Sequence, residues 1–131
     1  MNWITIEEVI VIHDEVISET GGPDGLINPA GLESALERPL TCVFGRYLFP
    51  DLYSKVGALI HSMIAFHPFV DGNKRTSLVI ADVVLKLNGQ RLIPSDNVES
   101  FFRSVAAGEH DVPDITAWLS KNTEPLKSNP L

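Results

Sequence analysis

A single cysteine, Cys42, stands among the 131 residues, so no disulfide can close within the chain, and a reducing cytoplasm is the compartment this fits. Cys42 itself is expected as a small, buried or half-buried residue. No uninterrupted apolar stretch approaches the ~20 residues of a membrane span. The amino terminus also has no basic region leading into an apolar run, as a secretory signal would. A soluble protein without membrane contact is the expectation. Basic residues are scarce: 10 Lys and Arg face 17 Asp and Glu, for a formal charge of −7 and a pI near 4.9. That balance disfavours a nucleic-acid-binding surface spread over the domain, so no direct nucleic-acid partner is expected. Internal repeats and low-complexity segments are absent as well. The 44% of hydrophobic residues suffices for one buried core in a chain of this length. We expect one domain over residues 1–122 and a flexible tail over 123–131, where two prolines fall.

Apolar residues recur with helical spacing almost throughout, which puts the chain in the all-α class. Thr5 and Glu8 form a capping-box pattern ahead of an apolar face of Ile6, Val9, Ile10, His13, Val16 and Ile17. His13 reads there as a satisfied core histidine rather than a ligand. Gly21 to Gly25 reads as a loop, and Pro29 to Glu37 as a short helix closed before Pro39. Asp51 opens a helix whose stripe of Leu52, Val56, Leu59, Ile60 and Met63 runs on to His67. From Asn73 to Asn88 the run Leu78 to Leu85 is apolar nearly all round, which predicts this helix as the buried centre of the bundle, with Gly89 as its C-cap. Asp96 and Glu99 pattern as another capping box before a further helix, and Ile115, Trp118 and Leu119 mark the last one. Residues 38–50 break the rhythm. There Thr41 to Phe44 and Tyr47 to Phe49 flank Gly45-Arg46, which suits a short hairpin or a packed connecting loop.

The densest chemistry lies in His67-Pro68-Phe69-Val70-Asp71-Gly72-Asn73-Lys74-Arg75-Thr76. Pro68 disfavours helical geometry at His67 and ends one helix; Gly72 turns the chain into the next. Lys74 and Arg75 then fall in a helical first turn, where the macrodipole favours carboxylates instead. Unsatisfied N–H groups, the dipole and two cations all favour an anion there, and phosphate is the usual occupant. Taken singly, His67 fits a helix-terminal histidine, Asp71 an N-cap, and Lys74 with Arg75 a solvated pair. Together they supply a base, a metal-type carboxylate and an anion cradle within one small volume, the parts of a phosphoryl or nucleotidyl transfer site.

These residues resemble the signature loop of the Fic/Doc family, which reads His-Pro-Phe, any residue, Asp or Glu, Gly-Asn-Gly or Gly-Asn-Lys, then Arg. The likeness extends to Gly21-Gly22 with Gly25-Leu26, to Gly31 through Pro39, to Asn88-Gly89 and to Trp118-Leu119, which look like the death-on-curing (Doc) branch. The resemblance implies a Fic/Doc-like helical bundle around a central buried helix, with a short β-hairpin flap. It also implies a cytoplasmic toxin of a toxin–antitoxin module, which phosphorylates a target such as elongation factor Tu and so blocks translation. Fic adenylyltransferases usually have glycine at the place of Lys74 and a second arginine at the place of Leu78, so both differences point to the Doc branch and to transfer of the γ-phosphate. Gly72 runs the other way, since the founding Doc loop has alanine there. Adenylylation therefore stands as the alternative.

On this reading ATP and Mg²⁺ are the expected cofactors. His67 is the expected general base, a task that suits a group with an unperturbed pKa of about 6.5. Asp71 is the expected Mg²⁺ ligand, and Gly72, Asn73, Lys74 and Arg75 are the expected phosphate binders. In the Fic fold a flap docks the target as an added strand, which makes Arg46 and Tyr47 the expected docking residues. No match is found to the Ser/Thr-x-x-x-Glu-Gly/Asn inhibitory helix of self-restrained Fic proteins, so the resemblance implies restraint by a separate antitoxin chain whose tail folds on binding. A non-catalytic nucleotide- or partner-binding module is a second alternative. A metal hydrolase is weaker still, because His61 and His67 miss the spacing that puts two ligands on one helix face, and His110 has no evident partner.

Overall fold

In the computed structural model, which describes residues 1–127, six helices pack around one core, with two small antiparallel strand pairs at the periphery. The helices are α1 (Ile6–Thr20), α2 (Pro29–Glu37), α3 (Leu52–Phe66), α4 (Asn73–Leu87), α5 (Asp96–Ala106) and α6 (Val112–Lys121). A 3₁₀ turn over Arg38–Leu40 follows α2, and strands β1 (Cys42–Val43) and β2 (Arg46–Tyr47) form a hairpin before α3. Strand β3 (Gln90–Leu92) pairs with β4 (Thr123–Pro125).

Helix starts follow local chemistry. Thr5 and Glu8 close the expected capping box on α1, Asn28 caps α2 ahead of Pro29, and Asp51 with Ser54 and Asp111 with Asp114 box α3 and α6. The start of α5 differs from expectation. Ser95 is its N-cap, accepting the Asn97 N–H, while Asp96 and Glu99 lie in the first turn as carboxylates that the helix dipole favours.

The central helix is α3, not the expected α4. An unbroken run from Lys55 to Ile60 is buried on it, and it touches α2, α4, α5, α6 and the 3₁₀ turn. Gly57 allows this, because a Cβ there would lie 2.8 Å from Thr116 Oγ1 on α6. Helix α4 buries Thr76, Ser77, Ile80, Ala81, Val84 and Leu85, but Leu78, Val79 and Val83 are only half-buried. Its C-cap is Asn88 rather than the expected Gly89, which follows one position later in the left-handed region at φ +82°.

Two further expectations change. The segment from 123, expected as a frayed tail, opens with β4 paired to β3, and Leu126 donates to Gly89 O; the rest of that stretch, 128–131, lies outside the described residues. Cys42 is exposed on the hairpin instead of buried. That hairpin turns through Phe44 (φ +51°) and Gly45 (φ +75°), the left-handed pair that matches strand twist in a two-residue loop. None of the described helices is long and apolar enough to cross a membrane.

Candidate active site

Helix α3 ends at His67, which takes the left-handed conformation (φ 47°, ψ 60°), a geometry that costs a non-glycine residue about 1–2 kcal/mol. Long-range bonds hold it there. Asn28 Nδ2 donates to Phe66 O (2.9 Å), the Ile27 and Asn28 N–H groups donate to Pro68 O (2.9 and 3.0 Å), and Val70 N–H donates to Gly25 O (2.9 Å). The segment Gly25–Asn28 thus runs antiparallel beside Pro68–Val70, with a bridge between Leu26 and Phe69. In sequence, the one signal Asn28 gives is its place as an N-cap before Pro29.

Asn73 closes the loop from the other side. Its Oδ1 accepts the Phe69 N–H (3.0 Å), its Nδ2 donates to Phe69 O (2.8 Å), and the same amide nitrogen lies 3.2 Å from His67 Nδ1. It lies 3.4 Å from His67 Nε2 as well, so the amide rests against the imidazole between its two nitrogens. This corrects the expectation that the Asn73 side chain binds phosphate. Buried and fully committed to the loop, it leaves only its backbone N–H for an anion.

Beyond the turn, Gly72 (φ +79°) is the N-cap of α4 and offers no side chain to its first turn, whereas a side chain caps each of the other five helices. The first amides of α4 are left for a ligand. Lys74 and Arg75 on this turn are exposed, and among the described residues neither has a carboxylate within 4.0 Å. Asp71 is exposed too. Its Oδ1 accepts the Gly72 N–H (2.8 Å), and its Oδ2 faces Gly22, where a Cβ would come within 2.6 Å. Below the loop, buried His13 stacks on Phe69 at 3.7 Å and donates from Nε2 to Asp71 O (2.8 Å).

His67, Asp71, Gly72, Asn73, Lys74 and Arg75 therefore line one cleft of about 570 Å³, together with Thr20, Gly21, Ile64 and Ala106. The expected flap residues are not among its walls. Arg46 and Tyr47 sit on the hairpin, which is fixed to α3 by Lys55: the buried ammonium donates to Phe49 O and lies 3.9 Å from the Tyr47 ring centroid. Lys55 is eleven residues before Phe66, about 16 Å along the axis. His61 and His110 also lie apart from the His67–Arg75 loop. Arg38 Nη1 donates to His61 Nδ1 (3.1 Å), and His110 stacks on Phe101 beside Asp114. Burial, with the Arg38 charge second, holds His61 below the usual imidazole range.

An imidazole, a carboxylate and an uncapped, doubly cationic helix start thus converge in one cleft of a small helical bundle, an arrangement that favours an anion. The profile of the Fic/DOC family matches residues 3–85, which include the whole loop, and the chain belongs to the Fic/Doc family. It is similar to Toxin Doc of Mycolicibacterium smegmatis (strain ATCC 700084 / mc(2)155), at 36% identity over 92 residues that cover 68% of this chain and 71% of the relative. It is also similar to Protein kinase doc of Escherichia phage P1, at 30% identity over 121 residues that cover 92% and 95% of the two chains. These relatives support its place in the Doc branch.

Proposed function

We propose that the protein is the toxin of a toxin–antitoxin module, and that it transfers the γ-phosphate of ATP to a hydroxyl side chain of a target protein, elongation factor Tu being the first candidate. The observation that carries this reading is the bare first turn of α4, with Lys74 and Arg75 unpaired among the described residues, in the same cleft as His67. Its relatives carry the names toxin and protein kinase, which supports the reading independently.

The residues present fit Mg²⁺ and a nucleotide. Asp71 Oδ2 has no hydrogen-bond partner among the described residues, and an exposed carboxylate oxygen beside a phosphate cradle is the donor that a hard cation takes. Bound Mg²⁺ would offset charge on the phosphate oxygens. His67 takes the proton from the acceptor hydroxyl, and Asn73 keeps its ring in place through Phe69. Arg75 and Lys74 hold phosphate oxygens, and the first amides of α4 add fixed dipoles without reorganisation. Lys74 fills space where a glycine would let phosphates lie against the backbone, which favours presentation of the γ-phosphate.

The test incubates the protein and its His67→Ala variant with Mg²⁺ and elongation factor Tu, with label on the α- or the γ-phosphate of ATP. Transfer from the γ position alone, lost in His67→Ala while nucleotide binding persists, is the expected result. Label from the α position would make the protein an adenylyltransferase, and full transfer by His67→Ala would remove the base assignment.

A further inference from the structure

His13 is 1% exposed, and nothing in the transfer reaction uses it. Its Nε2 faces the carbonyl oxygen of Asp71, which can only accept, so Nε2 carries the ring proton. That leaves Nδ1 as a buried nitrogen without a hydrogen-bond partner among the described residues. The groups it faces are carboxylates: Asp24 Oδ1 at 3.6 Å and Asp14 Oδ1 at 3.9 Å. The three ligand atoms lie within 4.8 Å of one another, and the two aspartates are more than half exposed. Nδ1 and the two carboxylate oxygens thus converge with no hydrogen bond among them, an arrangement that a shared cation satisfies.

We infer that His13 Nδ1, Asp14 and Asp24 form a binding site for a divalent transition metal, distinct from the Asp71 carboxylate. An imidazole nitrogen with two carboxylates suits zinc-like ions better than Mg²⁺ or Ca²⁺, which take oxygen ligands alone. Bonds near 2.1 Å in tetrahedral array put ligand atoms about 3.4 Å apart, so rotation of two exposed carboxylates suffices to close the site, and water completes the shell. His13 meets the remaining requirement of a metal-ligating histidine, because its other N–H is given to a backbone carbonyl that fixes ring and tautomer. That carbonyl belongs to Asp71. The metal ties α1 and the Gly21–Gly25 turn to the back of the catalytic loop, and acts on the loop's position rather than on the reaction.

The experiment uses the full chain without a histidine tag, stripped with chelator and titrated calorimetrically with Zn²⁺ alone at pH 7.5. Asp14→Asn, Asp24→Asn and His67→Ala variants are run beside it. We expect one zinc per chain, at least tenfold weaker binding in each aspartate variant, unchanged binding in His67→Ala, and a melting temperature that zinc raises in the parent but not in Asp24→Asn. Metal-free melts within a few degrees of the parent show that the aspartate variants are folded. Absence of saturable binding, binding indifferent to both aspartate variants, or binding lost in His67→Ala would each overturn the site; the last would move the zinc into the cleft.

Discussion

Asn73 carries the sharpest prediction, because its side chain braces Phe69 at both backbone groups. Asn73→Ala removes two hydrogen bonds worth about 1 kcal/mol each, and strands an N–H and a C=O whose desolvation adds about 1 kcal/mol more. Phe69 is 1% exposed, so water cannot replace the lost partner without opening the loop. The expected loss is about 3 kcal/mol in urea unfolding, or roughly 10 °C in melting temperature for a chain of this size. Asn73→Asp separates a brace from a mere helix-start residue. A carboxylate at the first position of α4 gains from the dipole, yet it would set an oxygen against Phe69 O, 2.8 Å from the present amide nitrogen. A brace makes Asn73→Asp destabilising by at least about 2 kcal/mol; a simple helix start makes it neutral or better. An Asn73→Asp protein within 0.5 kcal/mol of the parent in about the same buffer would refute the reasoning.

Gly72→Ala is expected to cost about 1–2 kcal/mol for its left-handed φ while transfer persists, since the Cβ would press on the terminal Ile17 Cδ1 at 3.1 Å and reach the His13 ring only at ordinary contact distance, 3.6 Å; a melt and a transfer assay check both halves. Lys55→Met keeps the buried stem but removes the ammonium from Tyr47 and Phe49. A cation–π contact of about 1–2 kcal/mol then appears as a roughly tenfold loss of amide protection over residues 42–49 in hydrogen exchange, and unchanged protection there would dismiss the anchor. Acid sensitivity follows from His61, whose folded form resists the proton. Below pH ~6.5 the unfolded chain binds a proton that folded His61 does not. Stability should fall as pH drops through that window, and His61→Gln should flatten the curve; parallel curves between about pH 5 and 7 would contradict it.

The loop and most helices were legible because their signals are local. Caps at Thr5 and Asp51, the stripe along α3 and the run from His67 to Arg75 each sit within one or two turns of chain. Failures came where burial depends on distant partners. Apolar Leu78, Val79 and Val83 suggested that α4 was the centre, yet α3 takes that place although it carries Lys55 and Gly57, because α6 comes close at Gly57 and the hairpin covers Lys55. Strand β4 finds its partner in Gln90–Leu92, more than thirty positions earlier, and no periodicity in three residues announces it. Asn73 looked like a phosphate ligand because sequence shows its amide but not the Phe69 backbone that occupies it.

The antiparallel staple between Gly25–Asn28 and Pro68–Val70 governs when the cleft can form. Asn28 and Phe66 are 38 positions apart, so the left-handed turn at His67 is secured by non-local contacts whose long loop must close first. Helices α3 and α4 can form early as a local pair, but His67 and the start of α4 acquire their mutual geometry only when the first thirty residues dock on them. On a translating ribosome that docking waits until α4 has left the exit tunnel. The proposed transfer site is therefore unformed during synthesis, and a cognate antitoxin translated alongside has the whole of that interval in which to be ready.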